Sequence, residues 1–316
     1  MTASRPPSLV RTAAWASLIA NIGIILTGGL VRLTGSGLGC DTWPRCSTES
    51  LTPTSESSGH AFIEFGNRTL TGVLLLIAFF ALYAVYRKAS NRADLKQLAW
   101  VQLGGILVQA MVGGGVVLLD LTWNAVGFHY LLSIVLVGAM AVFVHRAYSP
   151  PGARVMVAQS VTLKMTYLLA LVTGVVLVLG VIATGSGPHS GDASEEILRS
   201  GFDAYLVYRI HAFASYTLLI LTVGLLVRAD SAGERPEFTR WVRILLLAEA
   251  FQIGVGITQA TTSLPIGLVS IHMVFASVIG AIVVTIWQEL RTTESKEPRD
   301  SAEPHVPGSG DVVPAV

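Results

Sequence analysis

The chain has 316 residues, 52% of them hydrophobic and 13% charged, with a formal net charge of +1. A soluble domain carries about 25% charged residues, so this balance fits a bilayer better than water; the net charge of +1 argues nothing about nucleic acid, and no nucleic-acid partner is expected. The two cysteines, Cys40 and Cys46, are too few for a disulfide scaffold, and no zinc-type Cys/His spacing accompanies them.

The N-terminus is short and basic (Arg5, Arg11) before an apolar run. That run is long enough to span and lacks a clear A-x-A site, so it reads as a retained first helix rather than a cleaved signal. Crossing the hydrocarbon core takes about 20 apolar residues. Eight runs meet this, near 12–33, 66–86, 98–119, 124–147, 163–184, 204–227, 240–260 and 266–288. They predict an all-α integral membrane protein whose backbone hydrogen bonds close within its own helices.

Arg87, Lys88, Arg92 and Lys96 follow the second run, Arg146, Arg154 and Lys164 the fourth, and Arg228, Arg235, Arg240 and Arg243 the sixth. The other loops carry few cations. The positive-inside rule then places both termini in the cytoplasm of a cell-membrane protein, with segments 34–60 and 185–203 outside. The polar, Pro-rich end of the chain reads as disordered.

The chain repeats itself. Thr34-Gly35-Ser36-Gly37 closes the first run and Thr184-Gly185-Ser186-Gly187 the fifth. Gln109 and His129 in the third and fourth runs match Gln252 and His272 in the seventh and eighth at the same offset. Four spans return the chain to the same side, so the repeat is parallel: two tandem, pseudo-symmetric four-helix bundles. The organisation is an N-terminus at 1–11, a first bundle at 12–147, a cytoplasmic linker at 148–162, a second bundle at 163–288 and a tail at 289–316. Gly113, Gly114, Gly254 and Gly256 allow close helix approach or leave room for a flat ligand.

Of seven histidines, His145, His189 and His305 fall at a helix end, in an outer loop and in the tail, and read as solvated. His129, His211 and His272 each lie one to two turns inside the outer end of an even-numbered helix, and so share one depth. Ionisable residues inside a membrane are costly and usually functional, and a neutral imidazole suits haem iron. His211 and His272 come from helices that face each other across the second bundle, the arrangement for a bis-His haem. Structural histidines bonded between helices would be the plainer account.

In the first bundle the fourth histidine is expected near residue 67, where Asn67 stands, and Asn is a poor iron ligand. His60 lies seven residues earlier, about 10 Å along a helix, on the same face if the second helix extends that far outward. The asymmetry suggests a permanent haem in one half and a substrate in the other. Glu64 and Arg68 flank Asn67 at the membrane edge, with Glu64 either catalytic or plainly interfacial. Arg209, two residues before His211, is placed to pair with a haem propionate. Cys40 and Cys46 bracket an outer segment in a setting that permits disulfides, as a structural staple or as a redox pair. Glu249, inside the seventh run, has no assigned purpose.

Taken together, Leu30-Val31-Arg32-Leu33-Thr34-Gly35-Ser36-Gly37, the cysteines around Trp43-Pro44, Glu64-Phe65-Gly66-Asn67-Arg68 and the three histidines resemble the haem A synthase family over roughly residues 12–290. The resemblance implies haem b between His211 and His272 in the second half. It implies haem O as substrate in the first half, with His129 a ligand and Asn67, His60 and Arg68 beside it. It further implies a catalytic glutamate at Glu64 and a Cys40–Cys46 disulfide that relays reducing equivalents. The implied reaction oxidises a haem methyl to a formyl, on haem O from its farnesyltransferase, for terminal oxidase assembly. Asn67 departs from the family's usual histidine. The competing reading is a di-haem cytochrome b passing electrons; with all candidate ligands at one depth, transfer across the membrane is disfavoured. A repeat-built transporter would show broken helices and midplane charges, and neither pattern is clear here.

Overall fold

A computed structural model describes residues 7–189, 191 and 199–293. The polar tail with His305 therefore lies outside the described residues beyond Thr293, as does Arg5. The helices are α1 (Ser8–Leu33), α2 (Gly59–Lys88), α3 (Ala93–Leu118), α4 (Trp123–Tyr148), α5 (Ser160–Ser186), α6 (Ala204–Ala232), α7 (Pro236–Thr261) and α8 (Ile266–Glu289). All eight are long and apolar enough to cross a membrane, so the chain is a multi-pass membrane protein. Local chemistry sets several ends. The Asp203 carboxylate accepts the Leu206 N–H at 2.7 Å to cap α6. Pro236 opens α7. Gly233, at φ +63°, closes α6 in the left-handed conformation that glycine tolerates best.

In the first half each helix packs on its two neighbours to close a ring, α1–α2–α3–α4–α1; in the second the ring is α5–α6–α7–α8–α5. Helices α2 and α4 are thus diagonal partners, as are α6 and α8. The halves join where α1 and α4 meet α8, with α4 also touching α5. Small residues permit this: the sites of absent Cβ atoms at Gly138 and Gly280 lie 3.3 Å from Val284 and 3.2 Å from Ile134, and Gly127 has Val181 directly against it. The repeat extends to backbone conformation. The α3–α4 turn holds Asp120 and Leu121 at φ 50° and 53°, and the α7–α8 turn holds Ser263 and Leu264 at φ 60° and 58°. Two successive non-glycine residues with positive φ are uncommon, and both halves use them at matching places.

Hydrogen bonds stitch the halves together. The Tyr130 hydroxyl donates to the Met273 carbonyl at 3.0 Å. Arg32 reaches from α1 to the carbonyls of Thr184 and His189 at 3.2 and 3.1 Å. At the other end Arg146 donates to Gln288 at 3.2 Å.

Three features differ from the sequence reading. Residues 291–293, placed in the tail, form β2 (Arg291–Thr293), which pairs antiparallel with β1 (Arg154–Met156) of the linker. His145 and His189 are not simply solvated: His145 Nε2 lies 3.1 Å from the Glu289 carboxylate, and His189 Nε2 donates to the Leu264 carbonyl at 3.1 Å. Helix α2 begins at Gly59, seven residues before the apolar run, and so carries His60 and Glu64 on the same helix as Asn67 and Arg68.

Candidate haem-binding centres

The second bundle places His211 of α6 and His272 of α8 across its centre, ring centroids 6.3 Å apart and planes at 70°. Each ring rests against a glycine of the preceding helix. A Cβ on Gly180 would stand 3.2 Å from His211 Cε1, and one on Gly256 would stand 3.2 Å from His272 Cε1. In both, Nδ1 is buried without a hydrogen-bond partner, leaving Nε2 as the nitrogen open to a ligand. The backbone behind the rings is fixed. Gln252 donates to the His272 carbonyl at 2.8 Å, and Ser215 to the His211 carbonyl at 2.9 Å.

This geometry fits haem. An iron–imidazole bond is about 2 Å and the ring centre sits about 1 Å behind the nitrogen, so two imidazoles on opposite faces of one iron have centres about 6 Å apart. Among the described residues, no group of three or more His, Cys, Asp or Glu could hold a metal ion. Two imidazoles suffice for a metal that brings its remaining ligands with it, as haem iron does.

The first bundle repeats half of the arrangement. His129 of α4 rests on Gly113 of α3, again 3.2 Å from Cε1 to the absent Cβ, with Nδ1 buried and unpartnered. Gln109 donates to the His129 carbonyl at 3.3 Å and to Ser133 Oγ at 2.8 Å. On the diagonal helix α2, Asn67 lies against a glycine of the preceding helix, as His211 does in the second bundle. Its Nδ2 is 3.8 Å from the absent Cβ of Gly28, and its Oδ1 is buried without a partner. His60 lies in α2, but its Nδ1 is 2.8 Å from Ser36 Oγ, pinned to the Thr34–Gly37 turn.

Glu64 differs most from its expected setting. It is 5% exposed rather than at a water boundary. One carboxylate oxygen accepts the Cys40 backbone N–H at 2.6 Å, and the other takes the Arg68 guanidinium. Arg68 also donates to the carbonyls of Cys40, Thr42 and Arg45. The pair thereby seats the outer loop, which the Cys40–Cys46 disulfide closes. Trp43, between those cysteines, lies against Gly114, one residue from the glycine beneath His129: a Cβ there would meet the indole at 2.5 Å. Gly39 presses on the His60 backbone.

The Arg209 side chain is exposed and lies over the Tyr205 ring at 5.4 Å, apart from any carboxylate among the described residues. Glu249 is buried and accepts from Thr222 at 3.0 Å. Sequence reasoning missed Gly180, the seat of His211; its spacing to the histidine differs from that of the other two glycines. It also missed Arg32 as a bridge between halves, because the Thr184 and His189 carbonyls come beside it only through the packing of the two bundles.

Fold and site together define a class: a multi-pass membrane protein of two tandem four-helix bundles with histidines disposed for haem. The chain belongs to the COX15-CtaA family of cytochrome oxidase assembly proteins, whose family model matches residues 11–284. It is 24% identical over 281 residues to a protein named heme A synthase from Alkalihalophilus pseudofirmus, covering 83% of this chain and 92% of that one. It is 21% identical over 299 residues to one of the same name from Staphylococcus epidermidis, covering 90% and 97%. With that of Lysinibacillus sphaericus the match is 31% over 129 residues, 40% of this chain and about two fifths of the relative, 41% of its length.

Proposed function

We propose that this chain carries out the haem A synthase reaction: oxidation of the methyl group of haem O to the formyl group of haem A, in support of cytochrome oxidase assembly. The observation that carries the reading is the asymmetry of the two centres. One bundle presents facing histidines 6.3 Å apart, while the other has His129 on α4 and, on our reading of the repeat, Asn67 rather than a histidine as its counterpart on α2. A closed pair holds a resident cofactor; an open pair admits and releases a substrate. The family match and the relatives' shared name support the same reading.

In this proposal His211 and His272 would hold haem b, with Gly180 and Gly256 giving the rings space. Bound there, haem b supplies one-electron transfer that no side chain can provide. His129 holds haem O in the first bundle, and Asn67 leaves the opposing face open. Glu64, buried beside Arg68, is the catalytic carboxylate: it holds or moves a proton at an oxygen now occupied by the Cys40 N–H or Arg68. His60 and Arg68 position the Thr34–Gly37 turn and the disulfide loop over the site. Arg209, at the outer end of α6, serves a propionate of haem b. The disulfide closes the loop; reduced to the dithiol by an external thiol and then reoxidised, the pair would pass two electrons per cycle. The farnesyltransferase that makes haem O is the expected supplier. The basic ends after α2, α4 and α6 put both termini in the cytoplasm and the disulfide loop outside.

The test is haem composition. Membranes carrying this chain and a haem O source, with no other synthase, should contain haem A; haem O unchanged, with haem B alone on the purified protein, would return the chain to the cytochrome b reading.

A further inference from the structure

Beneath His129 the first bundle carries an apolar groove. It lies between α3 and α4, encloses about 160 Å³, and is lined by Gly105, Val108, Gln109, Leu132, Leu136 and Ala139 among others. Its head is Gln109, the residue that fixes the His129 carbonyl. From Leu132 to Ala139 it descends seven residues along α4, about 10 Å, toward the cytoplasmic side. Val108 and Val135 on its rim are exposed at 52% and 68%, so it opens toward lipid.

The repeat shows what keeps the groove open. The offset that carries His129 onto His272 carries Gly105 onto Ala248, Val108 onto Phe251, Leu132 onto Phe275 and Ala139 onto Ile282. These four counterparts are larger, while Gln109, Val135 and Leu136 fall on Gln252, Val278 and Ile279 of like size. Phe251 and Phe275 pack ring on ring, centroids 4.5 Å apart, at the place of Val108 and Leu132. The two bundles share a histidine, its glycine seat and its glutamine, and differ in whether the space beneath is filled.

We propose that this groove is the seat of the isoprenoid tail of the substrate haem. The inference rests on the proposed reaction, whose substrate carries a farnesyl chain where haem b carries a small vinyl group. A tail rooted on a macrocycle held by His129 enters the groove at its head, one turn from the ligand, and follows it down. The second bundle, assigned the tailless haem, has no use for such a channel and fills it with two phenylalanines. The groove is therefore what distinguishes substrate from cofactor, since the histidine and glycine are common to both.

The experiment gives the first bundle the second bundle's residues. Purified protein retaining its second-half haem is titrated with haem O and, separately, with haem B, and the affinity of each is read from the absorbance change. Val108→Phe/Leu132→Phe should weaken haem O about tenfold, the scale expected for excluding about two buried CH2 groups, and leave haem B within twofold. Ala139→Ile, which shortens only the far end, should weaken haem O less. Equal weakening of both haems, or haem O affinity unchanged in the double variant, overturns the proposal. If the double variant loses the second-half haem spectrum, Ala139→Ile decides, and unchanged haem O affinity there overturns it. Haem A formation by the wild-type chain is scored separately. Its absence alongside tail-dependent binding defeats the reaction and leaves the groove standing.

Discussion

His211 and His272 face each other across the second bundle with ring centres 6.3 Å apart, and each leans on a glycine, Gly180 or Gly256. Iron held on both faces needs both rings. His211→Leu or His272→Leu should therefore abolish the low-spin bis-imidazole spectrum of the purified protein. Gly256→Val should also lower haem content, because a side chain there meets His272 Cε1 within 3.2 Å and turns the ring. Unchanged haem content in all three would end the assignment.

In the proposed first-bundle centre Asn67 opposes His129, and its Nδ2 lies 3.8 Å from the absent Cβ of Gly28. Asn67→His should convert the open centre into a second closed one. The purified variant should retain about twice the low-spin haem of wild type, in keeping with two bis-imidazole sites, and haem A formation should fall because the open face is lost. A haem-to-protein ratio equal to wild type would show that residue 67 does not oppose His129.

Glu64 and Arg68 form a mostly buried pair whose partners are loop backbone groups. Glu64→Gln should keep the fold and the haem of the second bundle, yet stop haem A formation and let haem O or a partly oxidised form accumulate. It should also leave Arg68 without its counter-charge, at a cost of about 3 kcal/mol, read as faster proteolysis of the 40–46 loop. Normal haem A output would return Glu64 to a purely structural place.

The disulfide closes a short loop, with its cysteines separated by 6 in sequence. On the chain-entropy account, opening it costs about 2 kcal/mol. Cys40→Ser/Cys46→Ser should lower thermal stability accordingly. If the pair also passes reducing equivalents, turnover of the folded fraction should drop well beyond that loss. Turnover per folded molecule equal to wild type would confine the disulfide to a staple.

The eight helices and the repeat were legible because hydropathy and a constant offset are properties of the chain alone. His129, His211 and His272 were legible because an imidazole in an apolar run stands out. The surroundings of Glu64 were not: its Cys40 and Arg68 partners depend on how the outer loop folds back over α2, and nothing in the local sequence encodes that path. The same holds for β1 and β2, three residues each, which pair only because α8 brings its end to the linker. The groove lay in between. Val108 and Phe251 could be aligned from the repeat, but that Phe251 and Phe275 meet in one space required the packing of α7 on α8.

The bond between Tyr130 and Met273 has a meaning beyond packing. Tyr130 follows His129 in the chain, and Met273 follows His272. A route from one histidine to the other therefore consists of covalent bonds with a single 3.0 Å hydrogen-bonded gap at the seam between the halves. In the proposed reaction this seam would offer electrons a bonded path between the two centres, and Tyr130→Phe would break it while leaving both histidines in place.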